Sequence, residues 1–448
     1  MGLARQLLPV VGWLLLVAVL LSIASGFGLL EPYWSGIFLW LGGALLFARV
    51  GGVLRIQVLI IGSVGVLTLA WGVVGSGALG PIALESEARP WPWPWLRLLA
   101  VNHNLIAMLI AVSFLRLVTS LKIDPQERLP TGRRALCRTL LGVHLFGAVI
   151  NMSTLVIIGE RLSRRTPLSP LQGMLLSRGF ATAALWSPFF VAMGVALIHA
   201  QGAQLAILSI AGLPAAGLAL LLAAISLCRH PEAGKMAGYP MHFEALWLPA
   251  LLALLVLVAR WLWPDIQILT WVSLLSLLLC LLVLLSRGVG SGLATARQHI
   301  ERQLPQMGGE LCLFLAAGLL SIGLATLVER SGLAWSLAVF GPWQAWGLLV
   351  IILAASMVGI HPLISIATSG GMLAGQVADP NLLGMTYLMG WSLGVMASPV
   401  SGTHLTLQAR FGLPAHRFFK WNFAFVMQML VLDLLVLQGY NWMTQGGS

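Results

Sequence analysis

Long apolar stretches with almost no charge constrain this 448-residue chain more than any other feature. Several reach the roughly 20 residues that an α-helix needs to cross a bilayer. Hydrophobic residues make up 59% of the chain and charged residues only 9%, whereas a soluble domain carries about 25% charged residues. A transmembrane β-barrel would show short alternating segments in place of these continuous runs. We therefore predict an all-α polytopic membrane protein with about 11 to 13 transmembrane or part-spanning helices.

Basic residues are concentrated in short connectors between the apolar stretches, for example in residues 122–138. The formal net charge is +11. Positive charge in short loops orients helices toward the cytoplasm, and it requires no nucleic-acid partner. The sequence thus predicts a multi-pass protein of the inner (cytoplasmic) membrane, with the lipid bilayer as a partner and no nucleic acid.

Motifs for catalysis or metal binding are missing from the sequence. The four cysteines are widely scattered, which argues against a disulfide framework or a zinc site. No Walker motif and no arrangement of nucleophile, histidine and acid stands out. We expect a protein that is not an enzyme, with no resident metal and no cofactor except a sodium ion if transport is coupled to sodium.

The chain divides into four predicted parts. Residues 1–96 form N-terminal transmembrane helices, 97–228 a first repeat, 229–308 a linker with two plain scaffold helices, and 309–440 a second repeat. Within the first repeat, basic connectors at 122–138 and 161–165 would lie on opposite sides of the membrane if residues 139–159 crossed it once. One segment between 139 and 200 is therefore predicted to be re-entrant or broken, which protein surroundings permit at membrane depth.

Two short patterns recur in the second half of the chain. Gly142-Val143-His144 reappears 217 positions later as Gly359-Ile360-His361, and Ser187-Pro188 reappears 211 positions later as Ser398-Pro399. Proline inside a spanning helix removes a hydrogen bond and exposes carbonyl groups. Matched interruptions in two membrane halves mark a transporter substrate site. The alternative is coincidence between two glycine-rich spans, with proline kinks packed by small residues.

Small polar side chains around these interruptions are the candidate contacts for a substrate or an ion, because they offer donors and acceptors without bulk. They are Asn151, Ser153, Thr154, Ser187, Pro188, Thr368, Ser369, Ser398, Pro399, Ser401 and Thr403.

Four ionisable side chains add candidate contacts for a proton or an anion: His144, His361, Arg178 and His404. An ionisable group at membrane depth is costly and suggests a function. Either histidine can equally be a neutral side chain bonded to a backbone carbonyl between helices. Arg178 is a candidate counter-charge for an anion, or it extends to the membrane interface near Arg165.

The segments Trp186-Ser187-Pro188-Phe189 and Ser398-Pro399-Val400-Ser401-Gly402-Thr403 resemble the ion transporter superfamily. That group includes arsenite-pump and sodium–proton antiporter relatives, divalent-anion/sodium symporters and the large membrane subunits of TRAP carriers. The resemblance implies two inverted repeats with re-entrant hairpins and broken helices, a substrate site at the repeat interface, and homodimers with elevator-like motion. The Ser-Asn-Thr motif of the symporters is absent, so the resemblance implies neither dicarboxylate specificity nor sodium coupling.

These observations lead to one expected function and two alternatives. The expected function is secondary active transport of a small organic anion or oxyanion by alternating access, driven by a sodium or proton gradient. The first alternative is a membrane-embedded translocase or transferase for a lipid-linked substrate, for which Arg161, Arg164, Arg165 and Arg178 are the only hints. The second is a non-transporting membrane subunit whose polar patches only support packing.

Overall fold

The computed structural model describes residues 8–74, 94–118, 129–164, 166–240, 247–331, 340–373 and 375–445. Arg165 and residues 122–128 of the basic connector 122–138 lie outside these residues. Within them the chain is all-helical, with one isolated bridge between Thr131 and Ala237 as its only β pairing. The prediction of an all-α polytopic fold with broken helices is confirmed.

Twenty α-helices are found among the described residues. In chain order they are α1 (Leu8–Gly26), α2 (Pro32–Phe47), α3 (Gly52–Val74), α4 (Pro94–Ala100), α5 (His103–Ser113), α6 (Leu115–Val118), α7 (Arg133–Ile150), α8 (Ser153–Leu162), α9 (Pro170–Thr182), α10 (Val191–His199), α11 (Leu205–Cys228), α12 (Trp247–Leu262), α13 (Ile268–Ser286), α14 (Val289–Gln298), α15 (Gly308–Ser331), α16 (Pro342–Met357), α17 (Pro362–Leu373), α18 (Pro380–Ala397), α19 (Gly402–Phe411) and α20 (Arg417–Gln445).

Seven helical stretches of the described residues are long and apolar enough to cross a bilayer: Leu8–Gly26, Gly52–Trp71, Leu96–Val118, Leu205–Cys228, Ile268–Ser286, Val289–Val328 and Arg417–Thr444. Shorter apolar helices, such as Pro342–Met357, are too short to span alone. This mixture of full spans and fragments is the pattern expected of a multi-pass membrane protein with interrupted helices.

The chain forms two compact units. Unit 1 contains Met1–Val118, Leu251–Trp335 and Ala367–Ala374, and unit 2 contains Thr119–Ala250, Ser336–Ile366 and Gly375–Ser448. In unit 1, α3 packs along α15 and α1 packs on α2. The boundaries predicted at residues 96, 228 and 308 stay a prediction.

One correction concerns residues 97–120, which the apolar pattern predicted as a continuous helix. The structure interrupts this segment at Asn102, whose φ of 58° lies in the left-handed region. The Asn102 side chain donates a hydrogen bond of 2.8 Å to the carbonyl oxygen of Phe314 in α15. The Asn102 side-chain amide is therefore hydrogen-bonded to α15 at the break between α4 and α5.

Unit 2 contains two series of helices in the same order. In the second series, α16 starts 209 positions after α7, α18 210 positions after α9, α19 211 after α10 and α20 212 after α11. The packing also recurs: α7 packs on α9 and α11, and α16 packs on α18 and α20. Because the helices recur, the breaks between them recur too, and the two series are interrupted at corresponding positions.

The structure interrupts the segment between residues 139 and 200 twice, as the charge distribution predicted for at least one place. The first interruption is the turn Asn151-Met152 between α7 and α8, and the second runs from Trp186 to Phe190 before α10. Near the second interruption, Gly212 of α11 lies so close to the Leu185 carbonyl group that an added Cβ would overlap it. Glycine at this position lets α11 approach the interrupted backbone.

We expect Gly212→Ala to destabilise the protein by about 1–3 kcal/mol, because the new methyl group overlaps backbone that cannot move freely. Gly217→Ala is the matched control on the same helix, since nothing lies within 4 Å of a Cβ there. The measurement is thermal unfolding of the detergent-solubilised variants. Equal midpoints for the two variants would contradict this account of α11.

Candidate functional site

Both Ser-Pro interruptions have the same local hydrogen bond. The Phe189 backbone N–H donates to Ser187 Oγ at 3.2 Å, and the Val400 backbone N–H donates to Ser398 Oγ at 3.3 Å. Proline at the intervening position has no N–H to satisfy. Each serine therefore supplies a partner that the broken helix no longer provides, which is why a Ser-Pro pair can end a helix inside the membrane.

Additional bonds fix the first interruption to the turn between α7 and α8. Ser187 Oγ donates to the carbonyl oxygen of Ala148 in the last turn of α7. The Asn151 side-chain amide donates to the Phe189 carbonyl oxygen at 3.2 Å. The turn and the first Ser-Pro interruption therefore form one connected element of unit 2.

The turn itself carries polar atoms without a protein partner. Asn151 has a φ of 49°, which favours glycine, and its Oδ1 atom is buried with no hydrogen-bond partner among the described residues. Two positions into α8, the fully buried Thr154 Oγ1 also has no partner there. Buried polar atoms in proteins are nearly always hydrogen-bonded. Two such atoms in one turn suggest a position where a ligand supplies the missing partner.

Helices α8 and α19 lie side by side with the same direction. Near their first residues, Thr403 Oγ1 is 3.8 Å from Met152 Sδ, and near their last residues an Arg410 nitrogen is 3.8 Å from a Glu160 carboxylate oxygen. The two N-termini therefore lie together, beside the turn that carries Asn151. Helix N-termini hold positive partial charge and exposed N–H groups, so a pair of them favours an anion.

The N-terminus of α19 is held by its own side chains. Ser401 Oγ accepts from the backbone N–H of His404 at 3.3 Å, which is an ordinary N-cap. By contrast, no side chain caps α8. The Thr154 and Leu155 N–H groups in its first turn donate instead to the carbonyl oxygens of Asn151 and Met152, at 3.0 and 3.2 Å.

His404 connects the second interruption to a buried polar chain. Its Nδ1 lies 2.8 Å from the Ser398 carbonyl oxygen, which only accepts, so this nitrogen carries the hydrogen. Its Nε2 lies 2.9 Å from Ser177 Oγ, and the ring stacks on Phe418 with centroids 4.2 Å apart. His404 therefore orients the backbone at Ser398.

Arg178 supports the same chain and does not extend to the surface, being 3% exposed. Its Nε donates to Asn422 Oδ1 at 3.0 Å, and its other nitrogens donate to Ser226 Oγ at 3.1 Å and to the Trp421 carbonyl oxygen at 2.9 Å. Its guanidinium also lies 4.7 Å from the centre of the Phe425 ring. All these partners are neutral, so the positive charge of Arg178 is solvated by dipoles inside unit 2.

The two histidines that the sequence pairs do not occupy equivalent positions. His144 lies inside α7, whereas His361 lies in the connection between α16 and α17. The helices recur at offsets of 209 to 212 positions, while the histidines are 217 apart. The offset of the helices instead brings the turn at Asn151 into correspondence with the connection that contains His361.

His144 holds the residue that precedes the first Ser-Pro pair. The indole N–H of Trp186 donates to His144 Nε2 at 2.9 Å, so His144 Nδ1 carries the hydrogen and donates to Thr182 Oγ1 at 3.0 Å. Protonation of Nε2 would break the bond to Trp186. The contacts of His361 are different: its ring centre is 5.4 Å from that of Trp391, and its Nδ1 accepts from the Leu363 N–H at 3.2 Å. A role for either histidine with a proton or an anion stays a prediction.

The remaining predicted residues divide between the two units. Ser153, at the start of α8, is half-buried, as are Pro188 and Pro399 in the two interruptions of unit 2. Thr368 and Ser369 lie on the part of α17 that belongs to unit 1. Their role in a substrate site stays a prediction.

Four residues of this arrangement were not among the candidate contacts chosen from the sequence: Ser177, Thr182, Trp186 and Asn422. Asn422 gave a usable signal, because an amide in the apolar last span needs hydrogen-bond partners. Ser177 and Thr182 gave none, since serine and threonine in spanning helices commonly bond to their own backbone.

The fold is similar to that of the YdaH transporter from Alcanivorax borkumensis, known from its crystal structure. The TM-score is 0.51 and the sequence identity 15%, with 87% of this chain and 98% of the transporter chain covered. No protein-family model matches this chain, and no curated protein matches it either. At this level of identity the likeness concerns the fold alone.

The positive φ of Asn151 predicts that a glycine variant at this position is more stable than an alanine variant. Asn151→Gly keeps the backbone relaxed and removes only the amide, whereas Asn151→Ala also strains a positive φ by roughly 1–2 kcal/mol. We expect the alanine variant to unfold at a lower temperature than the glycine variant, although alanine is ordinarily the more stabilising residue in helical segments. Thermal unfolding in detergent measures this order, and the reverse order would contradict the turn geometry.

Proposed function

We propose that this protein is a secondary active transporter that moves a small anion across the inner membrane by alternating access, coupled to a sodium or proton gradient. The chain is a multi-pass membrane protein with interrupted helices. Its fold is similar to that of a protein described as a transporter. Both features support a carrier over an enzyme.

One observation carries the proposal: two helix N-termini meet beside buried polar atoms that have no protein partner. The N-termini belong to α8 and α19, and the unpartnered atoms are Asn151 Oδ1 and Thr154 Oγ1. The N–H groups and partial charges at such ends stabilise a carboxylate or another oxyanion. Discontinuous helices hold anionic substrate groups in this way in other transporters.

The other predicted contacts take different parts in the proposal. Ser153, Ser401 and Thr403 lie at the paired N-termini. Thr368 and Ser369, on α17, stay predicted contacts. Ser187 and Ser398 shape the backbone of the two interruptions through their side-chain bonds. A bound sodium ion, if sodium drives transport, would use carbonyl and hydroxyl oxygens of the same region, and a homodimer is the expected assembly.

Neither alternative function gains support from the described contacts. A site for a lipid-linked substrate would need the arginines to gather at one interface. Arg178, however, bonds to α11 and α20 in the interior of unit 2, and Arg164 is exposed. A purely structural subunit gives no role to the Asn151 and Thr154 side-chain oxygens, which lack hydrogen-bond partners among the described residues.

We predict that Thr154→Val abolishes transport and leaves the unfolding temperature unchanged or slightly raised. The substitution keeps the shape and removes a hydroxyl group that has no protein partner, so the folded state loses no hydrogen bond. The measurement is uptake of radiolabelled succinate, citrate, aspartate, phosphate and sulfate into proteoliposomes, with an imposed sodium or pH gradient.

Thr386→Val is the matched control for this experiment. Thr386 is equally buried in unit 2, and its hydroxyl donates to the Leu382 carbonyl oxygen at 2.8 Å. Its variant should transport at the wild-type rate. Normal uptake by Thr154→Val would remove the site assignment, and no uptake of any anion by the wild type would contradict anion transport.

A further inference from the structure

Asp433 lies near the middle of the last spanning helix, roughly 24 Å from its first residue at 1.5 Å per residue. It belongs to a buried stripe of α20 at helical spacing, which consists of Asn422, Val426, Met429, Asp433, Leu437 and Tyr440. All members are at most 7% exposed, and Asp433 is fully buried. The carboxyl group therefore faces the neighbouring helices of unit 2 and faces neither lipid nor water.

Both carboxyl oxygens of Asp433 are buried with no hydrogen-bond partner among the described residues. Three residues before Asp433, the carbonyl oxygen of Leu430 accepts a hydrogen bond of 2.9 Å from the Trp346 indole N–H. This contact shows that α16 packs closely on α20 about one turn from Asp433. Val426, Met429 and Leu437 occupy the neighbouring positions of the stripe. An apolar side chain at position 433 would therefore avoid the cost of burying a polar group.

Among the described residues, the helices that pack on α20 carry no positive charge at the level of Asp433. The helices that pack on α20 are α16, α18, α11 and α9. In their sequences the only titratable side chains are Tyr387 on α18, Cys228 at the end of α11 and Arg178 on α9. Arg178 bonds to Asn422, which is 11 positions or roughly 16 Å along α20 from Asp433. On α20 itself, Arg417 and Lys420 are further away, and Tyr440 lies two turns on.

We propose that Asp433 is the proton-binding group that couples transport to a proton gradient. This inference rests on the proposed transport function and names its driving ion. A carboxylate at this depth without a cation is too costly to persist, so Asp433 is a neutral carboxylic acid in this conformation. Glu310, near the start of α15, is an acid on another of the long spanning helices and serves for comparison.

The coupling step is a simple proton transfer. In a conformation that admits water from one side, the carboxylate oxygen of Asp433 takes a proton from a hydronium ion. One O–H bond of hydronium breaks, the O–H bond of the acid forms, and a water molecule is left. The neutral acid is stable when the helices close around it, as they do here. Opening toward the other side allows the O–H bond to break and the proton to leave to water. The anion-loaded carrier passes the closed state only with the neutral acid, which links proton movement to anion movement in the conformational cycle.

Infrared spectroscopy of the reconstituted protein tests the proton-binding group directly. The wild type should show a carboxylic acid C=O band at neutral pH, and Asp433→Asn should lose it. Asp433→Glu should retain a band at a shifted frequency. Glu232→Gln, at an exposed acid in the connection between α11 and α12, is the control and should leave the band unchanged. A spectrum of Asp433→Asn identical to that of the wild type would overturn the proposal.

A second arm tests coupling in proteoliposomes loaded with the pH dye pyranine. Addition of the transported anion to the wild type, without sodium, should produce a pH change inside the vesicles. Asp433→Asn should lose this change with an unaltered unfolding temperature, Asp433→Glu should restore part of it, and Glu310→Gln should behave as the wild type. Uptake that requires sodium and moves no proton, or a full pH change in Asp433→Asn, would overturn the proposal. The infrared arm gives its answer even if none of the tested anions is transported, which separates this inference from the proposed function.

Discussion

The requirement that every backbone polar group find a partner away from water governs the interrupted helices of unit 2. A spanning helix satisfies its own N–H and carbonyl groups, so a break in it is stable only where other groups replace the lost bonds. Ser187 and Ser398 do this in the same manner, each accepting from the N–H two positions on. The Asn151 amide and the Ala148 carbonyl oxygen add bonds around the first break. Local side-chain chemistry therefore makes non-helical backbone possible at the depth where a substrate would bind.

A second level of organisation is a chain of buried, mainly neutral groups behind the second break. It runs from Arg178 through Asn422 and Ser177 to His404 and the Ser398 carbonyl oxygen. Asn422 links two partners in this chain and also donates to the Met396 carbonyl oxygen at 3.1 Å. A fully bonded polar network of this kind fixes one arrangement of the backbone. The Thr154 hydroxyl group, in the first turn of α8, lies outside this network and has no hydrogen-bond partner among the described residues.

Sequence reasoning predicted the features that depend on local chemistry. Apolar runs located the spanning helices, and the Ser-Pro pairs located the two equivalent interruptions, because proline excludes a continuous helix wherever it removes a needed bond. The interruption at Asn102 was not predicted, since asparagine with positive φ looks like any other asparagine until its partner Phe314 is known. The paired histidines were a misleading signal: one lies within a helix and the other in a connection. Arg178 and Asn422 are 244 positions apart, and no local sequence pattern predicts a contact between residues so distant in the chain.

An anion that binds at the paired N-termini of α8 and α19 must reach them through water from one side of the membrane. Thiol accessibility at Ser153 measures this directly. In a variant whose four native cysteines are replaced by alanine, Ser153→Cys should react with a membrane-impermeant thiol reagent, and the transported anion should slow the reaction. Leu140→Cys, buried within α7, is the control that should not react. A Ser153→Cys protein that stays unmodified from both sides of the membrane would contradict the account.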